Sequence, residues 1–483
     1  MKPLKPKGAE QEENRESSEG ESKGRPSRRS RKGSRRTRTP LPSLPGSPEI
    51  IAREDHPISR KKIDEDALKV LYRLNNNGHE AYIVGGGVRD LYLGKEPKDF
   101  DIATSASPDE VRSLFRNSRI IGRRFKLNHI YFRGGKIIEV ATFRSDEEDE
   151  SGAAQMLKND NKWGDAHTDA LRRDLTINAL FYDVETFSII DYVGGIKDLD
   201  GGVARFIGDA KVRVQEDPVR MLRTLRHAGR TGFSVEAEAY DAITEFPALL
   251  KHCPGARLYE ELLKDLRSGA SRVVIPLYKE AGLLKYVTPS LAQLAESDPR
   301  AWQRQLSVLS SIDKYVLKLK NRRNGGEAPP SVLVSSLFLG NLSDDFFDDE
   351  TEEAGEVFRT LFTDEPFFEG TESEEILQED GKVYISDETM GRLGKVVRNI
   401  IGSSGVSKKD CEYIERMLVL RMRMFEVFAG GQNNRLPYLD AFNDTLQLMK
   451  LTNHSSWCRE CWDFWYSQKD KYSRKKRPNR RYK

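Results

Sequence analysis

The spacing of apolar residues along this chain changes near position 234. Before that point, short apolar runs indicate buried strands at 82–84, around 129–132 and over 136–143. After it, apolar residues recur every three or four positions, which is typical of packed helices. The clearest helical stretches are 240–250, 256–266, 270–281, 306–319 and 412–429. The pattern therefore predicts an α+β chain in which a part with strands precedes a part made of helices.

Two helices are expected among the strands. Residues 63–74 carry apolar side chains at helical spacing, and the sequence NNNG at 75–78 ends that helix. A second helix should begin at Ser107, a good N-cap, with Pro108 in its first turn and acidic residues beside its positive end. It should run through Phe115.

The charge distribution adds a strong asymmetry to this picture. The 483 residues carry a net charge of +3, but 25–38 and 469–483 are dense in Arg and Lys, whereas 344–380 is acidic. Basic tails suit a polyanionic partner, although simple solvation explains either tail alone. The first 50 residues are rich in Ser, Arg and Pro, and we expect them to form a disordered basic arm.

Membrane and redox signals are weak. No stretch reaches the length of about 18 apolar residues that a membrane span needs, so no membrane partner is expected. Four cysteines in this length favour a reducing compartment, and hence the cytoplasm. Cys458, Cys461 and His454 could supply three zinc ligands, but a structural site usually needs four, and the neighbouring tryptophans favour ordinary packing.

The stretch 82–101, YIVGGGVRDLYLGKEPKDFD, is the most informative part of the chain. Three consecutive glycines follow the first strand and precede a short helix that ends at Gly94. A glycine turn between strand and helix lets backbone N–H groups approach an anion, and the helix start adds its positive end. Arg89 in the first turn is a fixed cation within reach of a phosphate.

Asp99 and Asp101 close this stretch. An extended segment would place both carboxylates on one face and turn Phe100 into the core. Adjacent carboxylates repel, and the usual reason for such a pair is two divalent cations that clamp the oxygens of a phosphoryl or nucleotidyl transfer. An exposed acidic strand end is the commoner explanation of an isolated pair, but a glycine turn followed by the pair favours metal.

A third carboxylate, Glu139, lies in the middle of the otherwise apolar strand 136–143. Burying an unpaired carboxylate is costly, so Glu139 should either bind metal or pair with Arg144 or Arg123.

The segment 170–180, ALRRDLTINAL, supplies two arginines that suit a triphosphate, Arg172 and Arg173. Asp174 and Asn178 lie four residues apart and would share one face of a helix. Asp174 is alternatively a structural partner of Arg173.

Further along, Asp217 is a natural helix cap with Pro218 at the first helical position. Arg220 then falls in the first turn of that helix.

These segments resemble the class II tRNA nucleotidyltransferase/poly(A) polymerase family. The stretch 82–101 is similar to its motif GGxVRDxxLGxxxxDxD, and 170–180 to its motif RRDFTINA, with Leu175 replacing the aromatic. The segment 191–199 resembles the glycine hinge between head and neck, and 216–220 (EDPVR) resembles the EDxxR motif. The resemblance fades beyond about residue 290, and His227 stands where an aromatic or small residue is more usual.

The resemblance implies transfer of a nucleotide from an NTP to the 3′-hydroxyl of RNA, with release of pyrophosphate. It implies that Asp99 and Asp101 hold two Mg²⁺ ions, that Glu139 is the third carboxylate, and that Asp174 belongs to the catalytic group. The nucleotide-binding residues that it implies are Gly86, Arg89, Arg172, Arg173 and Asn178 for the triphosphate and sugar, and Asp217 and Arg220 for the base.

The domain organisation expected from these segments has five parts. They are a disordered basic arm over 1–50, a small mixed-sheet nucleotidyltransferase head over 51–205, a helical neck that selects the base and binds RNA over 206–290, an all-helical body over 291–468, and a basic tail over 469–483.

The expected activity is addition of AMP from ATP to RNA 3′ ends, with RNA-degradation or helicase proteins as further candidate partners. A CCA-adding or A-adding tRNA nucleotidyltransferase is the alternative, and a catalytically inactive RNA-binding relative is the second alternative. The intact carboxylates and arginine motifs count against the inactive relative. The segment 120–125, IIGRRF, resembles a sequence associated with bacterial poly(A) polymerases and favours the polymerase. We expect its Arg123, Arg124 and Phe125 to brace the head against the neck.

Overall fold

The structure is a computed structural model. It describes residues 47–122, 126–145, 163–322, 325–339, 376–379, 382–385, 398, 401–402, 404–428, 435–452 and 456–473. Residues 1–46 of the expected basic arm, most of the acidic segment 344–380 and the end of the basic tail lie outside this set. The expectation that the arm is disordered through residue 50 is wrong at its end, because Glu49 and Ile50 belong to a strand that pairs with residues 189–191. A search of the described helices for one long and apolar enough to cross a membrane finds none.

An eight-stranded mixed sheet forms the first part of the molecule. Its strands are Glu49–Ile51 (β1), Ala81–Val84 (β2), Asp101–Thr104 (β3), Ser118–Ile121 (β4), Leu127–Tyr131 (β5), Ile137–Thr142 (β6), Leu180–Tyr182 (β7) and Ile189–Asp191 (β8). They lie side by side in the order β1-β8-β7-β2-β3-β6-β5-β4. Among the described strands of this sheet, the neighbours β3 and β6 are parallel, and all other neighbours are antiparallel.

Five helices accompany the sheet within the described residues: Glu65–Asn75 (α1), Gly86–Tyr92 (α2), Pro108–Leu114 (α3), Ala166–Leu171 (α4) and Gly195–Gly201 (α5). The predicted start of α3 is confirmed by its capping box. Ser107 Oγ accepts a hydrogen bond from the Glu110 N–H, and the Glu110 carboxylate accepts one from the Ser107 N–H at 2.8 Å. The predicted hairpin turn is also confirmed, because Gly134 and Gly135 between β5 and β6 have φ values of +78° and +79°.

The two faces of the sheet are covered unequally. On one face Ile83, Ile102 and Val140 join the main apolar core, in which α1 and α3 also take part. On the other face Val84 and Phe181 belong to a smaller core with side chains of α4. That smaller core covers the half of the face nearest β2, β7 and β8.

The rest of the chain is mostly helical, as the apolar spacing predicts. Its helices are Ala210–Glu216 (α6), Val219–Thr231 (α7), Ala237–Glu245 (α8), Gly255–Leu266 (α9), Ser271–Glu280 (α10), Leu284–Val287 (α11), Pro289–Ser297 (α12), Pro299–Lys320 (α13), Pro330–Leu339 (α14), Lys408–Phe428 (α15), Phe442–Leu451 (α16) and Ser456–Ser473 (α17).

Two short strand pairs were not predicted in this part. Val203–Ala204 (β9) and Ser234–Val235 (β10) pair in parallel, and Ile376–Glu379 (β11) and Lys382–Ile385 (β12) form an antiparallel hairpin. The expectation of an entirely helical neck and body is therefore too strict. Strands of two to four residues show too little alternation of apolar and polar side chains to be distinguished from the helical spacing around them.

Cys461 packs in the apolar core of the C-terminal helices, as expected. It is fully buried, and the neighbouring Trp465 donates a hydrogen bond from Nε1 to the Met424 carbonyl at 2.9 Å. The Cys458 side chain lies outside the described part.

Candidate active site

The glycine turn joins β2 to α2, where the sequence predicts it. Gly85 has φ +70°, a conformation that L side chains rarely adopt. A Cβ added there would lie 3.4 Å from Nη1 of Arg173, so the turn and this guanidinium lie against each other. Gly86 begins α2, and Gly94 follows the helix with φ +72°. The turn therefore brings a cation of a distant segment to the end of β2.

Asp101 and Glu139 are neighbours on the two central strands. The parallel register pairs Ile102 with Val140, so the positions before them lie side by side at the strand spacing of about 4.8 Å. Because side chains alternate along a strand, both carboxylates project from the same face as Ala103.

The pKa of Asp101 is raised to about 6. The largest cause is desolvation by the surrounding protein, followed by the negative charges of Glu139 and then Asp99, whereas Arg173 lowers it. Solvent still reaches the Asp101 side chain, which screens part of this effect. The site thus concentrates negative charge at one end of the central strands.

Asp99 lies in the loop before β3, because the strand begins only at Asp101. The prediction that both aspartates share one strand face is wrong in this respect. Asp99 is exposed and its Oδ2 lies 3.7 Å from Nζ of Lys98. Phe100 packs against the main core, as predicted, and this fixes the loop between the two carboxylates.

Glu139 is half exposed, contrary to the expectation that it is buried. The half of the sheet face that carries it is uncovered by other described residues. Its Oε1 lies 3.5 Å from Nε2 of His129 on β5, a cross-strand partner that sequence spacing alone does not reveal. Arg123, one expected partner, lies outside the described residues together with Arg124 and Phe125. Within the described part of the chain, no three His, Cys, Asp or Glu side chains form a ready metal cage.

Arg173 is held in place by Asp169. Its Nε and Nη2 donate hydrogen bonds to Asp169 Oδ2 at 3.1 and 2.7 Å, and its guanidinium lies 5.3 Å from the centre of the Phe181 ring. Arg172 ends α4, and within the described residues its guanidinium makes no hydrogen bond or ion pair. One arginine of the pair is therefore fixed and the other is available to a ligand.

The expectation that Asp174 and Asn178 share a helical face is wrong. Leu175 is extended, with φ −126° and ψ 142°, and it separates α4 from a single turn over Thr176–Asn178. Asp174 does not pair with Arg173. Its Oδ1 instead accepts a hydrogen bond from Arg220 Nε at 3.0 Å, and its Oδ2 forms an ion pair with Arg223 Nη1 at 2.8 Å, both on α7.

Arg89 is buried in a polar group that joins α2 to α7. Its Nη1 donates to Asn178 Oδ1 at 2.5 Å and lies 3.2 Å from His227 Nδ1, and its Nε and Nη2 donate to Asp90 Oδ1. Asn178 Nδ2 lies 3.2 Å from His227 Nε2. His227, which had no assigned role in the sequence, thus connects the neck helix to two of the predicted nucleotide-binding residues.

His227 is neutral around pH 7. Desolvation lowers its pKa well below the ordinary value, and the charges of four arginines lower it further. These are Arg89 from α2, and Arg226, Arg230 and Arg223 from its own helix. A neutral ring can lie against Arg89 where an imidazolium would repel it.

From the nucleotide-binding role that the family resemblance implies for Arg89 and Asn178, we expect replacement of His227 by phenylalanine to reduce kcat/KM for the nucleotide by about fivefold. An aromatic ring is kept, but the one acceptor nitrogen of the neutral imidazole is lost, which can take a hydrogen bond from Arg89 Nη1 or from Asn178 Nδ2 but not from both. One buried hydrogen bond contributes about 1 kcal/mol, which is about fivefold in rate. Steady-state kinetics should show a raised KM for the nucleotide and an unchanged KM for RNA.

His252→Phe is the matched control, because it changes an exposed histidine outside this group. His227→Gln, which keeps an amide donor and acceptor, should recover part of the loss. A His227→Phe enzyme with an unaltered nucleotide KM would show that the contact does not position Asn178.

Asp217 and Arg220 lie where α6 passes into α7. The helix begins at Val219 and Pro218 precedes it as the N-cap, one residue later than predicted, but Asp217 Oδ1 still accepts a hydrogen bond from the Val219 N–H at 3.2 Å. Asp217 Oδ2 accepts one from Arg257 Nη2 at 2.6 Å. Arg220 uses Nε and Nη1 for Asp174, Glu216 and the Arg213 carbonyl, which leaves Nη2 without a partner among the described residues.

Several supporting residues were missed in the sequence. Arg213, which is buried, donates from Nη2 to the carbonyl oxygens of Arg172 and Arg173 at 2.9 and 2.8 Å. Asp169 could have been found from its spacing of four residues to Arg173. Arg213 and Arg257 left no such signal, because each acts on a residue about 40 positions away.

Comparison with known proteins gives matches over the same regions. A family model described as poly A polymerase head domain matches residues 81–205, and one described as a probable RNA and SrmB-binding site of polymerase A matches residues 232–294. The poly(A) polymerase I of Salmonella typhimurium is 46% identical over 299 residues, which cover 60% of this chain and 63% of that protein. The chain thus matches a little under two thirds of the length of this curated relative.

Similar relatives include CCA-adding enzymes. That of Bacillus pumilus is 33% identical over 333 residues, which cover 61% of this chain and 82% of the relative. The crystal structure of the Bacillus stearothermophilus CCA-adding enzyme in complex with CTP has a TM-score of 0.54 at 21% identity, over 83% of this chain and 82% of that one. This likeness shows a shared fold.

Proposed function

Because the chain belongs to the class II tRNA nucleotidyltransferase/poly(A) polymerase family, we propose that it adds AMP from ATP to the 3′ ends of RNA without a template. The observation that carries this proposal is the pair Asp101 and Glu139 on the central strands, beside a glycine turn and Arg173. Such a site can bind cations and a triphosphate together. The proposal includes a cytoplasmic location, an RNA-binding neck, and RNA-degradation or helicase proteins as partners.

The proposal assigns two Mg²⁺ ions to Asp99, Asp101 and Glu139, although among the described residues these side chains do not form a ready metal cage. Asp101 and Glu139 are neighbours and Asp99 is near enough to raise the pKa of Asp101, so the three supply the hard oxygen ligands that Mg²⁺ prefers. Their mutual repulsion gives a cation a reason to bind. In the proposal Asp99 and Asp101 are the ligands and Glu139 is the third carboxylate. Bound Mg²⁺ would promote deprotonation of the RNA 3′-hydroxyl and neutralise the pyrophosphate leaving group.

The triphosphate would lie between the glycine turn and the arginine pair. Gly86 exposes backbone at the start of α2, and Arg173 lies beside the turn, fixed by Asp169. Arg172, whose guanidinium has no partner in the described part of the chain, can close on the phosphates. Arg89 and Asn178 satisfy each other, so their part in nucleotide binding would be to shape this pocket from beneath.

Asp217 and Arg220 would read the base. A carboxylate acceptor beside a guanidinium donor complements adenine, which presents its N6 amino group as a donor next to a ring nitrogen acceptor. Asp174 orients this pair, because it binds Arg220 Nε while Arg220 Nη2 has no partner among the described residues. Asp174 thus belongs to the catalytic group as a positioning residue in this proposal.

Cytosine offers the same donor and acceptor order, so the CCA-adding alternative is chemically close. The polymerase is favoured by the higher identity, 46% against 33%, to the two kinds of relative. A polymerase must keep its pocket fixed while the RNA slides, whereas the tRNA enzyme must change specificity between additions.

With ATP alone, the protein should extend an unstructured RNA by a long, heterogeneous run of A, and it should use CTP poorly. The fixed pocket would accept adenine repeatedly because no defined tRNA end stops the reaction. The measurement compares ATP, CTP and their mixture on this RNA and on a tRNA that lacks its CCA end, and product length is read on sequencing gels. Ordered addition of C, C and A to the tRNA, with no long tail on the other RNA, would assign the protein to the tRNA nucleotidyltransferases instead.

A further inference from the structure

The uncovered half of the catalytic sheet face carries an aromatic and cationic surface. It lies on β4, β5 and β6, and we call it the strand platform; its residues are Arg119, Ile121, His129, Tyr131 and Ile137. Among the described residues, Ile121, Tyr131 and Ile137 of this surface are 41%, 37% and 41% exposed, whereas the half nearest β2, β7 and β8 is buried by the smaller core.

The sheet register aligns this surface with the catalytic carboxylates. Arg119 pairs with His129 across β4 and β5, and His129 pairs with Glu139 across β5 and β6. Glu139 in turn neighbours Asp101 on β3. One row of side chains therefore runs from a cation to the two carboxylates over three strand spacings, about 14 Å.

The second row of the strand platform is apolar and aromatic. Tyr131 is paired with Ile137, and these side chains are 37% and 41% exposed. The Arg119 guanidinium lies 6.0 Å from the centre of the Tyr131 ring, and the His129 ring lies 6.4 Å from it. Among the described residues Arg119 has no carboxylate partner. Cross-strand pairing on a solvated sheet explains the contact of His129 with Glu139, but not the exposed Tyr131, Ile137 and Ile121.

We propose that the strand platform binds the last nucleotides of single-stranded RNA and leads the 3′-hydroxyl to Asp101 and Glu139. Tyr131 stacks on a base, and Arg119 binds the backbone phosphate beside it. This combination of a ring and a cation is what single-stranded nucleic acid fits. The proposal rests on the proposed function and adds to it where the RNA end lies, at a surface separate from residues 232–294.

Two features favour RNA as the ligand of the strand platform: the platform is continuous with the catalytic carboxylates, and its far end carries a positive charge. The row of side chains ends at the carboxylates where the reaction would take place, and its far end is cationic, so a polyanion with one reactive end has a preferred direction on it. The length of about 14 Å suits a few nucleotides, which should bind with little preference for sequence, because every base has a face that can stack.

Kinetics of Tyr131→Ala provide the first test. The KM for a short unstructured RNA should rise about tenfold, which lies within the range for loss of one stacked base. The KM for ATP and kcat at saturating RNA should stay within twofold. Tyr131→Phe should restore the RNA KM because its ring still stacks. Tyr438→Ala, which removes a similarly exposed tyrosine of the helical body, is the matched control.

Photocrosslinking provides a second test that does not depend on nucleotide addition. The full chain is irradiated with an RNA that carries 4-thiouridine at the position before its 3′ end, or at its 5′ end, and the crosslinked peptides are identified. The 3′ probe should mark peptides of 119–137, and the 5′ probe should not. Crosslinks persist even if the protein adds no AMP, so failure of the proposed function and failure of this inference give different results.

Either of two results overturns the inference. One is a 3′ probe that marks other regions, such as 232–294 or a segment of this chain lying over the strand platform. The other is a folded Tyr131→Ala protein with an unchanged RNA KM, or with a change in the ATP KM alone.

Discussion

Asp101→Asn should abolish nucleotide addition, with a loss of a thousandfold or more in kcat. Asparagine keeps the size of the side chain but removes the charge that would hold Mg²⁺, and a catalytic metal contributes several kcal/mol of charge stabilisation, where each 1.36 kcal/mol is about tenfold in rate. Affinity for RNA should stay within a few-fold, because the carboxylate is expected to bind metal. Primer extension and equilibrium RNA binding measure the two effects separately.

The same substitution should stabilise the metal-free protein. The pKa of Asp101 is raised to about 6, so its ionisation opposes folding. A raised pKa means that stability is fully present below the unfolded value near 3.8 and is lost as the pH rises through about 6. Above pH 7, Asp101→Asn should therefore raise the free energy of unfolding by up to about 1 kcal/mol, after allowance for solvent exposure, and below pH 4 by nothing.

Mg²⁺ should reverse the order of stability of the unaltered protein and Asp101→Asn. Mg²⁺ should raise the melting temperature of the unaltered protein and leave that of Asp101→Asn nearly unchanged, because ligand binding to the folded state stabilises it. Asp109→Asn, which removes an exposed carboxylate at the start of α3, serves as control and should show neither effect. Loss of RNA binding in step with activity in Asp101→Asn would instead indicate a structural role for the pair.

Arg226→Ala should destabilise the protein by about 3–5 kcal/mol, the cost of breaking a buried ion pair by removing one partner. Arg226 on α7 donates to Glu261 Oε2 at 2.5 Å and to Asp265 Oδ1 at 2.9 Å, and all three side chains are buried. Tyr278 donates its hydroxyl to Asp265 Oδ2 at 2.7 Å. The substitution leaves Asp265 without a cation in the core of α7, α9 and α10, and it leaves Glu261 with Lys264, whose Nζ lies 2.7 Å from Glu261 Oε1.

The loss of stability caused by Arg226→Ala should be larger at high pH than at low pH. Desolvation already raises the pKa of Asp265 to about 6, although Arg226 lowers it. Without Arg226 that pKa rises further, so the deficit in the free energy of unfolding should be larger at pH 8 than at pH 5, where Asp265 accepts a proton.

Chemical denaturation at the two pH values measures this difference. Arg223→Ala is the matched control, because it removes a 40% exposed arginine of the same helix and should cost about 1 kcal/mol or less. Adding Asp265→Asn to Arg226→Ala should recover part of the loss. Equal destabilisation by Arg223→Ala and Arg226→Ala would show that the buried ion pairs of Arg226 contribute no more to stability than the exposed ion pair of Arg223.

The sequence alone determined most of the local structure around the site. The glycine turn, the cap at Ser107 and the hairpin at Gly134 each depend on a few adjacent residues, and all three are confirmed. The helical spacing after residue 234 was also sufficient, because an amphipathic pattern repeats over many turns. The family motifs brought the carboxylates and arginines together as a candidate site before any contact was known.

Only the tertiary structure decided how those residues are used. Glu139 is half exposed because its part of the sheet face is uncovered by other described residues. Asp174 binds Arg220 on α7, because the extended Leu175 ends the predicted helix and separates Asp174 from Asn178. His227 contacts Arg89 and Asn178, which are 138 and 49 residues away in the sequence, so only the fold brings them together. The reason is physical: burial, pairing and pKa depend on neighbours that the fold supplies across the chain, whereas turns and caps depend on the residues beside them.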